Sequence, residues 1–552
     1  MRQVFILLSC SLLACLTVAG QIVIDGIHPP YDRLSNTYLV TIPAHLWGKD
    51  WQAQVTLEDS TDWQQVEVNG QTVGQMVTFD QVEPQKTYSV RAMFGDSLVH
   101  RQLEFTYLPI VHLWGEFGIE QAPARITVQT PGEGEQELKA MVKWRGYITN
   151  DSAKHKRNYK INFVDKKGEK KDYRFFGLRK DNGWILDAGQ VDLFRMRNHI
   201  AAKMWDDFAT KPYYATEDME VHTSSRGEIV EVFLNDQYQG IYNMCEPVDR
   251  KQMQLMKFDG KTGEIHGGLW KSEGWEDTTF WTLTSQYDNT QPRWADFQLE
   301  YPELDDLCPS DYSTLYNAID FVVNCEDHEF KDQIHEYIDI PVFIDYYIFT
   351  NILNAIDLQG KNIFWAVYDK QADKKLTLAL WDLDTTVGQN YNDLPPHTEM
   401  TAYDAFPMTP MKIGWQLVST NPDNFNQKVR DRYFALRENI FSADSLVNRY
   451  RSYYNKVKNC GADNREERRW SGDEDIAFLT LNFDEEIDYI EDWLRHRLEV
   501  TDEFFNNPRT GIGGITIHPE VDDVLYNPMG LKVNDGYKGI VITKNGKKYL
   551  KK

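Results

Sequence analysis

Length, composition and charge place this chain of 552 residues among globular proteins of two or three domains, at roughly 150 residues a domain. Hydrophobic residues make up 41% and charged residues 26%, and the aromatic share of 13% favours a thick aromatic core over a sugar-binding surface. The formal net charge of −25 excludes nucleic acid as an expected partner, because such binding needs a basic surface and the only dense basic stretch is residues 154–160.

The first twenty residues have the pattern of a signal peptide. Arg2 supplies a positive start, the apolar run after it is too short for a membrane span, and Val18-Ala19-Gly20 offers small residues for cleavage. The alternative is a lipoprotein signal at Cys10 or Cys15. No later stretch approaches ~18 consecutive apolar residues. The sequence therefore predicts an exported protein (periplasmic, cell-surface or secreted) without a transmembrane span.

Four cysteines remain after the expected cleavage. Export permits disulfides, and a pair between Cys308 and Cys325 is the expected one, with Cys245 and Cys460 left over. Buried free thiols are the alternative. No Cys/His spacing in the sequence suits a zinc site.

Residues 21–110 read as a small all-β sandwich, of the immunoglobulin-like kind. Alternating residues predict strands over 37–42, 52–57, 64–68, 87–92 and 103–107, separated by turn signals such as Asn69-Gly70 and Gly95-Asp96. The module shows no residues with evident chemistry, so a spacer or adhesive role is expected.

Residues 111–505 change to a mixed pattern of strands followed mainly by helices. Strands are predicted over 139–144 and 159–164, a helix over 193–208, a hairpin around Asn235-Asp236, and helices over 342–356 and 478–505. This order is that of a two-lobed kinase-like fold. Residues 511–552 form a separate tail, with a strand pair around Asn545-Gly546, which resembles the tails of exported proteins of Bacteroidota.

The most informative stretch is residues 351–388. Asp357 directly follows the predicted helix over 342–356. Asn362 precedes the first strand of a predicted hairpin, and Asp382 and Asp384 follow its second strand. Because the start and the return end of a hairpin lie side by side, Asn362 and Asp382 are expected to be neighbours. Amide and carboxylate oxygens are the ligands that Mg²⁺ prefers.

A protein kinase arranges its site in the same order. A loop Asp accepts the proton of the substrate hydroxyl, an Asn five positions later holds metal, and an Asp beyond the next hairpin holds metal. In the alternative, non-catalytic interpretation, Asp357 is a solvated residue at the end of a helix and Asp382 caps a turn. The spacing alone leaves both interpretations open.

A family resemblance favours the catalytic interpretation. Residues 347–388, with Asn354, Asp357, Asn362 and the run Trp-Asp-Leu-Asp-Thr-Thr-Val-Gly that ends at Gly388, resemble the signature of the CotH kinase family of atypical protein kinases. Further blocks match in family order: Trp144-Arg145-Gly146, Lys156 to Phe163, Asp192 with Arg197-Asn198, Val232-Phe233-Leu234-Asn235, Gly240-Ile241-Tyr242, Glu246-Pro247-Val248-Asp249 and Leu269-Trp270-Lys271. Where the family has small residues after Arg-Gly, this chain has Tyr147-Ile148-Thr149-Asn150, so we assign that loop no phosphate-cradling role.

The resemblance implies a role for each matching residue of the catalytic stretch. Asp357 corresponds to the catalytic carboxylate that orients the acceptor hydroxyl. Asn362 and Asp382 correspond to metal ligands, with Asp384 as the second candidate among the aspartates.

The remaining matches imply contacts to the nucleotide. Lys160 corresponds to the strand lysine that pairs with phosphates. Glu246 is either a nucleotide contact or an anion that orients the lobes. Four more matching residues belong either to the site or to the scaffold. Arg145 and Lys271 are expected to bind the nucleotide; the other two are Asp192 and Arg197.

Two functions of different classes follow from these patterns. The first is transfer of the γ-phosphate of ATP to a Ser or Thr of a protein acceptor, with Mg²⁺ or Mn²⁺ as cofactor. Scarcity of nucleotide outside the cell is a difficulty for this function. The alternative is a surface adhesin, or a glycan- or protein-binding module, that uses a kinase-like fold without catalysis. The aromatic content and the N-terminal β-module favour this alternative, whereas the joint presence of Asp357, Asn362 and Asp382 argues against it. Hydrolase motifs such as H-E-x-x-H and G-x-S-x-G are absent from the sequence.

Overall fold

The computed structural model of the protein describes residues 22–58, 62–146, 148–284, 286–304, 309–390, 397, 411–506, 525–526, 533, 539–543 and 548–551. The expected signal peptide, Cys308 and the Asn545-Gly546 turn lie outside these residues. Helices and sheets are both abundant within them, which confirms the α+β class.

Two packed sheets make up the N-terminal region. Its strands are β1 (Ile22–Ile24), β2 (Tyr31–Asp32), β3 (Thr37–Thr41), β4 (Trp51–Leu57), β5 (Gln64–Val68), β6 (Gln71–Thr72), β7 (Met76–Phe79), β8 (Tyr88–Phe94) and β9 (Ser97–Thr106). One sheet has the order β1-β4-β7 and the other β2-β3-β9-β8-β5-β6. Alternate residues of both sheets, Val55 and Val90 among them, meet in one buried core. The five expected strands are present, although the last begins at Ser97 rather than at Leu103.

A closed barrel of seven strands follows. Its strands are β10 (Ile110–Trp114), β11 (Ala122–Thr130), β12 (Gly134–Arg145), β13 (Asn158–Val164), β14 (Gly183–Asp187), β15 (Gly227–Leu234) and β16 (Gln237–Cys245). Their order is β10-β11-β12-β13-β14-β16-β15, and parallel pairing of β10 with β15, with Ile110 opposite Glu231, closes the barrel. Side chains such as Val142, Ile161 and Trp184 form a buried apolar cluster within it, as in other small barrels.

Helix α1 (Arg197–Phe208) lies between β14 and β15 in the chain. The sequence predicted that this helix begins at Leu193, and that prediction is wrong. The Asp192 carboxylate accepts a hydrogen bond from the main-chain N–H of Arg197 (2.7 Å), and Arg195 has a φ of 62°. A left-handed residue interrupts an α-helix, so the preceding apolar residues form a turn that leads into α1.

A second sheet and a group of helices complete this region. The strands are β17 (Gly268–Ser272), β18 (Arg293–Trp294), β19 (Phe297–Tyr301), β20 (Ile363–Val367) and β21 (Thr377–Leu380), in the order β18-β19-β17-β20-β21. The helices are α2 (Ser313–Asn324), α3 (Asp327–Tyr337), α4 (Ile340–Leu353), α5 (Lys412–Thr420), α6 (Phe425–Arg437), α7 (Ala443–Lys458), α8 (Ala462–Trp470) and α9 (Phe483–Asn506). Helix α4 is buried along almost its whole length and packs against β21, α6 and α9.

Helix α4 ends earlier than the sequence predicted. The expected end was Ile356, whereas the observed last residue is Leu353, followed by Asn354 with a φ of 49°. Asn is one of the few residues that adopt this left-handed conformation readily. Asp357 consequently lies in a separate short 3₁₀ helix, Ile356–Leu358, and not at the end of α4. Helix α9 likewise begins at Phe483 rather than at residue 478.

The C-terminal segment contains a small antiparallel sheet. Its strands are β22 (Leu525–Tyr526), β23 (Gly539–Thr543) and β24 (Lys548–Lys551). Pairing of β23 with β24 confirms the strand pair expected there. Of the helices that the structure describes, none is long and apolar enough to cross a membrane.

The three cysteines within the described residues form no disulfide with one another. Cys245, Cys325 and Cys460 carry free thiols, so the structure supports the free-thiol alternative for Cys325, the described member of the expected disulfide.

Candidate functional site

The loop between α4 and β20 holds Asp357 and Asn362 against each other. The Asn362 side-chain amide donates a hydrogen bond of 2.6 Å to Oδ2 of Asp357, and both side chains are buried. Lys361 Nζ lies 3.3 Å from the same carboxylate oxygen. The five-residue spacing thus brings the two predicted residues into direct contact, and Asp357 is not the solvated residue of the non-catalytic interpretation.

The hairpin of β20 and β21 places Asp382 beside this pair. Ile363 is opposite Leu380, and the main-chain N–H of Trp381 donates to the carbonyl of Asn362 (3.1 Å). Asp382 follows Trp381 in the chain. It therefore lies at the same end of the hairpin as Asn362, the residue that precedes β20. This is the neighbourhood predicted from hairpin topology.

Asp382 and Asp384 share their surroundings with a third carboxylate, Asp187 at the end of β14. Burial raises the pKa of Asp384 well above its usual range, and the charges of Asp382, Asp187 and Asp357 raise it further. Burial, followed by the charge of Asp382, also raises the pKa of Asp187. Mutual repulsion in a desolvated place makes these carboxylates costly without a cation.

Asn198 on α1 connects Asp187 to the segment that carries the two aspartates. Its Nδ2 donates to Oδ2 of Asp187 (2.7 Å), and its Oδ1 accepts the main-chain N–H of Leu383 (3.0 Å). Asp187 was absent from the predicted site, and Asn198 was noted only as part of a matching block. The strand end at Asp187, with an Asn on the following helix, was the only signal in the sequence.

Cationic side chains lie beside the carboxylates. The Arg145 guanidinium stacks 4.5 Å from the ring centre of Trp381, the residue that precedes Asp382. Burial and the charge of Arg145 lower the pKa of Lys271, against the opposing effect of Asp382. Arg145 also acts electrostatically on Asp187.

Lys160 and Glu300 extend this group. Lys160 keeps contact with solvent on β13, opposite Lys143 of β12. Desolvation lowers the pKa of Lys160, Glu300 opposes the shift, and Arg145 adds to it. Burial raises the pKa of Glu300 on β19, while Lys271, Arg145 and Lys160 act to lower it. The structure therefore groups the three predicted cations around Glu300, which the sequence did not single out.

Glu246 has a different setting from the other predicted residues. Its carboxylate is fully buried, accepts the main-chain N–H of Arg179 (2.6 Å) and pairs with the Arg226 guanidinium at 3.2 Å. These contacts join β16 to the segments on either side of it. They favour the orienting role over the nucleotide contact.

Asp192 and Arg197 form part of the scaffold. Their side chains pair at 2.6 Å, and Arg197 also binds Glu486 of α9 at 2.5 Å. Both are buried, and the pair fixes the start of α1, from which Asn198 projects.

The donor set suits a hard divalent cation next to a polyphosphate. Carboxylate and amide oxygens from Asp187, Asn362, Asp382 and Asp384 are the ligand types that Mg²⁺ and Mn²⁺ take. Arg145, Lys160 and Lys271 are the cation types that bind phosphate oxygens. The residues present therefore fit both a metal ion and a nucleotide.

The fold and the site define an α+β protein in which a closed barrel, a five-stranded sheet and a helical region contribute to one group of carboxylates and cations. The sequence model of the family described as CotH kinase protein matches residues 142–501. The chain belongs to this family, and the match contains every residue discussed above for the site. No curated protein matches the chain.

Proposed function

We propose that this protein is a kinase that transfers the γ-phosphate of ATP to a Ser or Thr hydroxyl of a protein acceptor, with Mg²⁺ or Mn²⁺ as cofactor. The observation that carries the proposal is the contact of Asp357 with Asn362 beside Asp382 and Asp384. Membership of the family supports it.

The chain's own residues divide the work of transfer. Asp357 orients the acceptor hydroxyl and takes its proton as the hydroxyl oxygen bonds to the γ-phosphorus, while the bond from that phosphorus to ADP breaks. Asn362, by donating to Oδ2 of Asp357, holds the carboxylate in place. When bound, a divalent cation would neutralise phosphate charge, and Asn362, Asp382, Asp384 and Asp187 are the residues that would hold it.

The cations and the scaffold complete the proposed site. Arg145, Lys160 and Lys271 bind phosphate oxygens, and Glu300 keeps these three side chains together in the absence of nucleotide. The proposed first lobe is the barrel with α1, and the proposed second lobe is the β20–β21 sheet with the helices. Asn198 bridges them through Asp187 and Leu383.

The location of the reaction is also a proposal. The sequence of residues 1–20 supports export, and a kinase outside the cytoplasm requires nucleotide to be supplied during or after export. The acceptor is therefore proposed to be a protein of the cell envelope or of the secretion route.

Transfer of labelled phosphate tests the function. Full-length protein, [γ-³²P]ATP and Mg²⁺ or Mn²⁺ are incubated with cell-envelope extract, and labelled Ser or Thr is identified after hydrolysis. We expect labelling by wild type and none by Asp382→Ala, together with a melting-temperature rise on adding Mg·ATP that the variant lacks. Asp332→Ala, which alters an exposed residue of α3, is the matched control and should behave as wild type.

Two outcomes would contradict the proposal in different ways. A thermal shift without transfer to any acceptor, combined with binding to glycans or to a surface protein, would favour the adhesin or binding-module alternative. An equal shift in wild type and Asp382→Ala would place the metal elsewhere.

A further inference from the structure

A second group of metal-binding residue types lies outside the proposed kinase site. The loop between β12 and β13 carries His155, and the turn after α8 carries Asp473 and Asp475. Ligand atoms of these three side chains all lie within 4.8 Å of one another. The two segments are more than 300 residues apart in sequence, since the hydrogen bonds between them join residues separated by 318 and 320 positions.

Main-chain hydrogen bonds orient both carboxylates. Oδ2 of Asp475 accepts the N–H groups of His155 (2.7 Å) and Lys156 (2.9 Å), and Oδ1 of Asp473 accepts the N–H of Asp475 (2.9 Å). Each carboxylate therefore uses one oxygen to hold the backbone. Fixed carboxylates of this kind are typical of residues that ligate metals.

The second oxygen of each carboxylate accepts no main-chain hydrogen bond from the residues that the structure describes. Oδ2 of Asp473 is 2.9 Å from Nδ1 of His155. Asp475 is only 3% exposed, and its Oδ1 is buried and accepts no hydrogen bond from any residue that the structure describes. Lys154 Nζ lies 3.6 Å from Oδ1, which balances charge but exceeds hydrogen-bond distance. A buried carboxylate oxygen that accepts no hydrogen bond is costly, and a metal ion bound to it would take the place of the missing donor.

We propose that His155, Asp473 and Asp475 form a binding site for a zinc-type divalent cation. One imidazole nitrogen and two carboxylate oxygens match the ligands of Zn²⁺, whereas Mg²⁺ and Ca²⁺ prefer oxygen alone. Two ligands of one zinc ion lie at most about 4.4 Å apart, twice the ligand distance, so small side-chain rotations suffice. His155 is half-exposed, with 50% of its side chain accessible, which leaves a route for the ion and room for water as a fourth ligand.

The site acts as a clamp between two parts of the fold. It connects the loop that precedes β13 to the turn between α8 and α9. Lys160 lies on β13. Lys156 of the same loop is buried and pairs with Glu466 of α8 at 3.1 Å. Metal binding therefore stabilises the loop that precedes the phosphate-directed Lys160, whether or not the protein is an active kinase.

Zinc and cobalt binding to the full-length protein tests the site. The protein is stripped with chelator and titrated with Zn²⁺ by calorimetry and with Co²⁺ by visible absorption, in excess Mg²⁺ to occupy the oxygen-only site. We expect one Zn²⁺ per chain, a higher melting temperature with Zn²⁺, and a Co²⁺ spectrum with a nitrogen ligand. His155→Gln should weaken binding at least ~10-fold, the smallest loss usual for residues that only support a metal ligand.

The control variant is His496→Gln, which removes an imidazole of similar accessibility on α9 (42% exposed) and should bind Zn²⁺ as wild type does. Because His155 is half-exposed, its variant should fold, and circular dichroism checks this. Absence of Zn²⁺ binding by wild type, or unchanged affinity in His155→Gln, would overturn the assignment. Neither result depends on phosphate transfer, so the clamp and the kinase function succeed or fail separately.

Discussion

At the scale of single residues, the proposed kinase site contains two side chains on left-handed backbone. Asn362 has a φ of 58° and Asp382 a φ of 63°, and they flank the open end of the β20–β21 hairpin. Asn and Asp tolerate this conformation better than other residues with a side chain, at a cost of ~1 kcal/mol or more each. Such strain is common at functional sites, where the rest of the fold keeps the residue in place.

Asp357 is the residue at which an enzyme and a binding module differ. A carboxylate that orients the acceptor hydroxyl works chiefly in the transition state, so its loss lowers turnover and spares nucleotide affinity. We expect Asp357→Asn to reduce phosphate transfer at least ~100-fold, with ATP affinity within a few-fold of wild type. Single-turnover transfer and calorimetric ATP titration measure the two quantities.

The contradicting result for Asp357 is simple to recognise. The Asn side chain keeps the shape and can still accept a hydrogen bond from Asn362, so a change in folding is not expected. Normal transfer by this variant would leave the family and fold unaffected and would disprove the assigned mechanism.

At the scale of elements, helix α1 connects the barrel to the helical region. Asn198 holds Asp187 and the Leu383 main chain, and Arg197 binds Glu486 of α9. His199 adds a third link: its ring nitrogens lie 3.1 Å from Oδ1 of Asn243 and 3.1 Å from the hydroxyl of Tyr453. Consecutive residues of one helix turn thus contact β16, α7, α9 and the site.

The buried position of His199 predicts a pH dependence of stability. Desolvation lowers its pKa to about 4, whereas an unfolded histidine has a pKa of about 6.5. The folded state prefers the neutral ring, so this contribution is complete above pH ~6.5 and is lost as the pH falls toward ~4. Between pH 7.5 and pH 5 we expect the unfolding free energy of wild type to fall by ~2 kcal/mol more than that of His199→Gln.

Urea unfolding at the two pH values measures this difference. His328→Gln, a change at an exposed residue of α3, is the control and should leave the pH dependence as in wild type. A wild type and a His199→Gln variant that lose the same free energy would show that the ring is not kept neutral in the folded state.

At the scale of the whole molecule, the N-terminal sheets are attached to the barrel. Leu39 of β3 packs with Ile110, Phe233 and Tyr238 of the barrel in a separate buried cluster. Glu104 of β9 pairs at 3.4 Å with the buried guanidinium of Arg465 on α8, and Arg33 pairs with Asp236 of the β15–β16 turn. These contacts pack the N-terminal sheets against the barrel and α8, whereas a spacer needs no such packing.

Removal of this region tests how far the site depends on it. A chain that begins at Leu108 should bind Mg·ATP with wild-type affinity, because no candidate site residue precedes that position. It should melt at a lower temperature, since each large apolar side chain uncovered on the barrel costs ~1.5–3 kcal/mol. Thermal unfolding with and without Mg·ATP measures both effects. Failure of the shortened chain to fold would mean that the N-terminal sheets complete the kinase core.

Local pattern was sufficient wherever the interacting residues are close in sequence. Alternation and turn residues predicted five of the nine described strands of the N-terminal sheets, the hairpin at Asn235-Asp236, and the hairpin that brings Asn362 beside Asp382. Hairpin pairing follows from adjacent strands and a tight turn, so it can be predicted without knowledge of the rest of the fold. The Asp357–Asn362 contact belongs to the same class because five residues separate its members.

Tertiary structure alone decided the barrel, the ends of α1 and α4, and the full membership of the two sites. Closure of β10 on β15 pairs residues over 100 positions apart, and Asp187 reaches Asp382 only through that fold. The same holds for Glu300 among its cations and for His155 beside Asp473. Helix ends were missed because hydrophobic periodicity continued through Arg195 and Asn354, both of which have left-handed backbone. Long-range packing, unlike hairpin pairing, leaves no spacing in the sequence from which it can be predicted.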